Sequence, residues 1–189
     1  MGFSWSGSGE GLDVPVKSPL RHRVDTYRFE IGFVKKTSSS TESDFPAVPQ
    51  DLAEWVGAVR LMQMTLEATE GVRVDSDRFA TGRPGEVVPS RMLFSLLAYA
   101  YARGIYASQD VEDAVARLAD FRYLASGDVP NLAVLRRFRR ENWTELLGVL
   151  TRLLVAVVDI QTPGSRAAAE LEAEARLVAA VQADSLAAE

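Results

Sequence analysis

The sequence contains no cysteine and only one histidine, His22, among its 189 residues. Without cysteine, neither a disulfide framework nor a thiolate metal site can form. A single histidine also excludes a histidine-rich zinc or iron site within one chain. We therefore expect a protein without disulfides, bound metal or cofactor.

Long apolar runs are missing as well. No stretch reaches the roughly 18–20 uninterrupted apolar residues of a membrane-spanning helix. The N-terminal sequence MGFSWSGSGEG lacks the basic start and apolar run of a secretory signal. These two absences lead us to expect a soluble, cytoplasmic protein with no membrane association.

The chain has no overall excess of positive charge, because its formal net charge is −5. A protein that binds nucleic acid usually presents a basic surface. When the chain is divided into residues 1–44, 45–79, 80–145 and 146–189, basic residues outnumber acidic ones only in the third block, nine to eight. Within that stretch, Arg136, Arg137, Arg139 and Arg140 occur within five residues. The sequence is therefore acidic overall, with one compact basic cluster.

The first 47 residues are predicted to form an arm without helices. Residues 1–20 are rich in glycine, serine and proline, and are predicted to be irregular. Apolar residues then alternate from Tyr27 to Phe33, which predicts a β-strand. Such a strand needs a partner, from the arm itself or from a second copy of the chain. Residues 35–44 are predicted to be a polar linker.

From residue 48 onward, apolar residues recur at helical spacing. A first amphipathic helix is predicted to follow Pro49 and to end near Gly71. Its predicted apolar face consists of Leu52, Trp55, Val56, Val59, Met62 and Leu66. Residues 71–88 contain glycine and proline and are predicted to be a loop.

Four further helices are predicted after this loop. Their first residues are Ser90, Ser108, Asn131 and Trp143, and a short segment, Phe121 to Leu124, lies between the second and third. The helix from Ser90 is broadly apolar and is expected at the centre of the core. Residues 165–188 are rich in alanine and glutamate and predict a final exposed helix. We therefore predict an all-α bundle, with a domain at residues 48–160 and a C-terminal helix within residues 161–189.

The order of helices between residues 89 and 141 is similar to a helix-turn-helix, in which a support helix precedes a helix that enters the major groove. In the arginine-bearing helix, Leu132, Leu135 and Phe138 are predicted to face inward. Arg136, Arg137, Arg139 and Arg140 are predicted to face outward. Guanidinium groups fit phosphate oxygens and the O6/N7 edge of guanine. The alternative is that these arginines only form the solvated face of an amphipathic helix.

Residues 82–142 resemble the N-terminal domain of bacterial insertion-sequence transposases of the broad IS4/IS5-like, DDE-type group. Those proteins share a GRP tripeptide, a proline before an apolar helix that ends in Tyr-x-Gly, a serine, an F-R-x-L element and a Pro-Asp…F-R-R element. The matching elements here are Gly82-Arg83-Pro84, Pro89, Leu93 to Gly104, Ser108, Phe121-Arg122-Tyr123-Leu124, Pro130-Asn131 and Phe138-Arg139-Arg140-Glu141-Asn142.

The resemblance implies that duplex DNA is the partner, since intact relatives bind the terminal inverted repeats of their elements. It also implies a location at the nucleoid. The residues that it places on DNA are Arg136, Arg137, Arg139, Arg140 and Asn131, with Arg122 and Arg103 on phosphates. One departure concerns the first turn of the arginine-bearing helix, where apolar Leu132-Ala133-Val134 replaces the family's short polar residues. That turn therefore lacks the polar groups that would read bases.

The chemistry of the family lies in a following RNase H-like domain, where three carboxylates hold two divalent metal ions. Asp159 follows an apolar run, but it lies only 21 residues after Phe138. The remaining alanine-rich residues leave no room for a sheet or for further catalytic carboxylates. We therefore expect no enzymatic activity and predict a truncated or domesticated transposase that binds transposon ends or regulates transposition.

An alternative function is a protein-interaction module, derived from a transposase, that no longer reads DNA. The predicted strand from Tyr27 to Phe33 or the helix at residues 165–188 would then form a homodimer. The acidic balance and the apolar first turn favour this alternative. The arginine cluster favours DNA binding.

Overall fold

The computed structural model describes residues 47–73, 78–81, 86–164 and 166–187. The predicted N-terminal strand from Tyr27 to Phe33 lies outside these residues. Within them, eight helices and one two-stranded sheet form a mainly α structure, which confirms the predicted fold class.

The elements, in chain order, are α1 (Ala53–Val56), α2 (Ala58–Glu70), β1 (Arg78–Ala80), β2 (Val87–Pro89), α3 (Ser90–Ala102), α4 (Ser108–Arg117), α5 (Ala119–Leu124), α6 (Leu132–Glu141), α7 (Trp143–Gln161) and α8 (Arg166–Leu186).

Helix α3 lies at the centre of the core, as its apolar sequence predicts. Every residue from Met92 to Ala102 is buried. A helix that is apolar all round is stable only when other elements cover every face. Helices α2, α5, α6, α7 and α8 all pack against it, and the arginine-bearing helix α6 is thereby fixed to the core.

Gly57 divides the first predicted helix into α1 and α2. Its φ of 80° lies in the left-handed region, which glycine adopts without a steric penalty. The break changes the phase of the second helix, so the predicted apolar face is partly wrong. Val59 is 66% exposed and Leu66 is also exposed. The inward face of α2 consists of Leu61, Met64, Thr65, Ala68 and Thr69.

Strands β1 and β2 form an antiparallel hairpin within the segment predicted to be a loop. Phe79 pairs with Val88 across the two strands. The ring of Phe79 lies 5.0 Å from the ring of Phe138 in α6, nearly perpendicular to it. The loop prediction is wrong for these residues because strands of three residues are too short to show an alternating pattern. The hairpin therefore lies directly against the arginine-bearing helix.

Helix α8 packs along α7 and also contacts α3 and α4. Its inward face contains Ala169, Ala173, Leu177 and Ala180, all fully buried. These mostly small side chains allow a close approach between the helices. The prediction of an exposed helix is therefore wrong for this face, although Leu171 on the other face is 71% exposed. No helix within the described residues combines the length and apolarity that a membrane crossing requires.

Candidate nucleic-acid interface

Helix α6 presents one buried face and one accessible face. The buried face consists of Val134, Leu135, Phe138 and Arg139. The accessible face consists of Ala133, Arg136, Arg137 and Arg140, which we call the α6 stripe. These positions are spaced by three and four residues, so they lie one above the other along the helix. Three of the four predicted outward arginines therefore share one stripe.

The N-terminus of α6 is capped by groups of the protein itself. The Asn131 side chain accepts a hydrogen bond from the Val134 backbone N–H at 3.0 Å, as predicted for a cap. The Leu132 backbone N–H donates to the Glu112 carboxylate in α4, also at 3.0 Å. The negative charge of Glu112 is favourable at this positive end of the helix. Helix N-termini are common binding sites for phosphate, and in this helix the Glu112 carboxylate occupies that position.

Arg139 is buried, so its predicted outward orientation is wrong. Only 4% of the residue is exposed. It follows Leu135 by four positions and therefore lies on the same inward face. Its Nη1 donates to the Tyr101 hydroxyl at 2.9 Å, and its Nη2 donates to the Asp184 carboxylate in α8. Arg139 thus joins α6 to α3 and α8 and is not presented to solvent.

Asp184 links three helices through one buried carboxylate. Its Oδ1 accepts the Ser108 backbone N–H at 2.8 Å, and its Oδ2 accepts the Ser108 hydroxyl at 2.7 Å. The same Oδ2 accepts from Arg139 and lies 3.4 Å from Arg136 Nε. Sequence reasoning missed Asp184. The available signal was an acidic residue in phase with the small residues on the inward face of α8.

The Asp184–Arg139 pair is charged despite its burial. Burial alone would raise the pKa of Asp184, but hydrogen bonds from Ser108 and Arg139 outweigh burial and hold that pKa below its usual range. Burial would also lower the pKa of Arg139, but contacts with Tyr101 and Asp184 raise it overall. Burial raises the pKa of Tyr101 to about 12. Its hydroxyl therefore stays neutral and can accept from Arg139.

Arg136 and Arg140 differ in how tightly the protein holds them. The Arg136 side chain is 31% exposed, and its buried Nε faces Asp184 without forming a hydrogen bond. Arg140 is exposed, and no hydrogen bond or ion pair to it is found within the described part of the chain. Both guanidinium groups can therefore reach an external anion.

Arg137 lies against the hairpin. Its guanidinium carbon is 4.5 Å from the centre of the Phe79 ring, and its Nη2 donates to the Ala80 carbonyl. Its Nε is buried 3.6 Å from a Glu141 carboxylate oxygen. The side chain nevertheless remains 33% exposed. Arg137 therefore contributes both to hairpin packing and to the accessible stripe.

Arg103, which the resemblance places on a phosphate, is engaged by two carboxylates. Its Nε donates to Asp51 and its Nη1 to Asp120, both at 2.9 Å. The Nη1 also donates to the Tyr99 hydroxyl, and burial with the Asp120 hydrogen bond raises the pKa of Tyr99 to about 12. The charge of Arg103 is thus compensated inside the fold. Arg122, by contrast, is exposed on α5.

Arg176 is a second buried charge of α8 that sequence reasoning missed. Only 2% of it is exposed. It donates to the carbonyl oxygens of Pro49, Gln50, Tyr101 and Ala102, and pairs with Glu172 at 2.7 Å. Two of these carbonyls are at the C-terminus of α3, where backbone acceptors lack helical partners. Arg176 therefore has a structural role and is not part of the α6 stripe.

Within the described ranges, no group of three or more histidine, aspartate or glutamate side chains is placed to hold a metal ion. Asp159 accepts a hydrogen bond from the Gly164 backbone N–H at 3.1 Å. It is thus a helix-end residue, as the sequence predicts.

Part of the chain matches a known family. Residues 59–141 match a family described as "Transposase domain (DUF772)". The matched segment extends from α2 through α6, so it contains the hairpin and the α6 stripe. Helices α7 and α8 follow it. No curated protein and no solved structure shows significant similarity to the chain.

Proposed function

Because residues 59–141 relate this chain to transposases, we propose that it binds duplex DNA through the α6 stripe and does not itself catalyse strand transfer. The observation that carries this proposal is the shared accessible face of Arg136, Arg137 and Arg140. The opposite face of the same helix is held by the core. A fixed helix with three guanidinium groups on one side suits a groove lined by phosphates.

The packing of α4, α5 and α6 supports a helix-turn-helix-like role for this part of the chain. Helix α4 packs against both α5 and α6, as a support helix packs against a recognition helix. Two residues of α4 help to fix α6. Glu112 accepts a hydrogen bond from the first residue of α6, and Ser108 donates to Asp184, which in turn pairs with Arg139 of α6. Helix α6 would therefore enter the groove with its stripe toward DNA.

The contacts would be mainly with phosphates. At the N-terminal turn of α6, Asn131 is used as a cap and Ala133 offers no hydrogen bond to a base edge. Glu112 further disfavours a phosphate at this end of the helix. Binding would therefore be electrostatic, tolerant of sequence and strongly dependent on salt. In a transposase setting, such a chain would occupy transposon ends or compete with an intact transposase.

Titration of duplex DNA at several salt concentrations tests this function. We expect affinity to fall steeply with salt, because each neutralised phosphate releases counterions. The double substitution Arg136→Gln/Arg140→Gln should lower the slope of log K against log salt by about two, roughly one for each lost phosphate contact. The matched control is Arg60→Gln/Arg73→Gln, which removes two exposed arginines outside α6.

The control variant should retain the slope of the wild-type protein. Equal losses in both variants would indicate a general charge effect and would reject the α6 stripe as the interface. A wild-type protein with no measurable affinity at low salt would reject DNA binding altogether.

Self-association is a second candidate function, favoured by apolar residues on the outer face of α8. Leu171 is 71% exposed, and Val178 and Val181 are about two-fifths exposed. A homodimer that buried these side chains would gain apolar contact. A monomer in sedimentation equilibrium at high protein concentration would reject this candidate.

A further inference from the structure

We propose that Phe79 of the hairpin is a positioning residue, which orients Arg137 for contact with the phosphodiester backbone of duplex DNA. This inference rests on the proposed DNA-binding function and extends it to an element outside the helix-turn-helix-like unit. Phe79 itself bears no charge and makes no contact with phosphate. It acts through the guanidinium group that lies over its ring.

Three contacts restrict the Arg137 side chain. The guanidinium carbon lies 4.5 Å from the centre of the Phe79 ring, within the range of a cation–π interaction. The Nη2 donates to the Ala80 carbonyl in the same strand. The buried Nε faces Glu141 at 3.6 Å, beyond hydrogen-bond distance. Within the described residues, the guanidinium is thus held by the Phe79 ring, by one hydrogen bond from Nη2 and by the charge of Glu141.

The Phe79 ring is itself held in place by a series of aromatic contacts. It lies edge-on to Phe138 at 5.0 Å, and Phe138 lies edge-on to Phe94 of the central helix at 4.8 Å. Edge-to-face pairs at these distances are favourable and directional. Packing against the core therefore fixes the Phe79 ring, and the ring in turn fixes the orientation of Arg137.

Fixing a long side chain before binding increases affinity. A free arginine loses rotamer freedom when it contacts a phosphate, and this loss opposes binding. Arg137 has lost much of that freedom already, because the ring and the Ala80 carbonyl hold it. Removal of the ring should weaken DNA binding without changing the charge of the protein.

The test compares Phe79→Leu with Phe79→Tyr in the full chain, using a mixed-sequence duplex at low salt. Phe79→Leu should raise the Kd about two- to fivefold, the range expected from loss of an exposed cation–π contact. Phe79→Tyr keeps an aromatic ring and should retain the wild-type Kd. Phe79→Met serves as a second charge-neutral variant if the leucine variant does not fold, which circular dichroism would reveal.

A double-mutant cycle with Arg137→Gln separates positioning from a purely structural role. Once Arg137 is removed, Phe79→Leu should cause no further rise in the Kd. An equal rise in both backgrounds, or an unchanged Kd for a folded Phe79→Leu or Phe79→Met variant, would overturn the positioning role alone. Absence of DNA binding by the wild-type protein would overturn the proposed function and this inference together.

Discussion

Replacement of Asp184 by alanine is expected to lower the free energy of unfolding by about 3–5 kcal/mol, the cost of breaking a buried ion pair by removing one partner. The Arg139 side chain is only 5% exposed, and a guanidinium group stays protonated in proteins, so a buried charge would be left without its carboxylate. The Ser108 N–H and hydroxyl would also lose their acceptor. Chemical denaturation followed by circular dichroism measures the change.

Glu174→Ala provides the matched control for this prediction, since it removes one carboxylate from an exposed position of the same helix. It should change the unfolding free energy little. The pair of substitutions Arg139→Met/Asp184→Leu should recover much of the lost stability, because neither charge is then left unpaired. Equal effects of Asp184→Ala and Glu174→Ala would contradict the linking role of Asp184.

Arg176→Met should also be strongly destabilising, by at least about 3 kcal/mol. The substitution approximately preserves the length of the side chain but removes the hydrogen bonds that the buried guanidinium donates to the carbonyl oxygens of Tyr101 and Ala102. A hydrogen bond that involves a charged group contributes about 1.5–3 kcal/mol. The carbonyls of Pro49 and Gln50 would lose the same partner. Thermal and urea-induced unfolding measure the effect.

Arg166→Met is a closely matched control on the same helix. Arg166 pairs with Glu170 four residues later, as Arg176 pairs with Glu172 four residues earlier. The Arg166 side chain is 76% exposed, and exposed pairs contribute little to stability. Similar losses of stability in the two variants would show that helix pairing, and not the capping of α3 by Arg176, explains the effect.

These two buried charges explain how α8 completes a fold whose family match ends at residue 141. Arg176 donates hydrogen bonds to carbonyl oxygens at the C-terminus of α3. Asp184 accepts a hydrogen bond from the backbone N–H of Ser108, the first residue of α4. The turn between α3 and α4 is therefore held at both ends by a helix that lies outside the matched segment. We therefore expect the stability of the matched segment to depend on α8.

Much of the fold follows from local signals in the sequence. The central helix α3 is predicted from its apolar composition, and the start of α6 from Asn131, whose side chain forms the expected cap. Gly57 was not recognised as a break, because a single glycine within a periodic pattern does not by itself show that the backbone adopts a positive φ. The phase of α2 was therefore predicted incorrectly.

The candidate interface was predictable only in part. The spacing of Arg136, Arg137 and Arg140 follows directly from helical periodicity. The burial of Arg139 depends on Asp184, 45 residues further along the chain. A pairing over this separation cannot be predicted from the local sequence pattern around either residue. Composition suggests that the alanine-rich α8 is exposed, although two of its charged residues, Arg176 and Asp184, lie on the inward face.

We expect neighbouring arginines of α6 to have separate roles, with Arg139 stabilising the fold and Arg140 contacting DNA. The most direct measurement determines the unfolding free energy and the salt dependence of duplex-DNA binding for both Arg139→Gln and Arg140→Gln. We predict that Arg139→Gln lowers stability but, when folded, keeps the wild-type salt slope. Arg140→Gln should keep the wild-type stability and lower the slope by about one. The reverse assignment, or identical behaviour of the two variants, would contradict this division of roles.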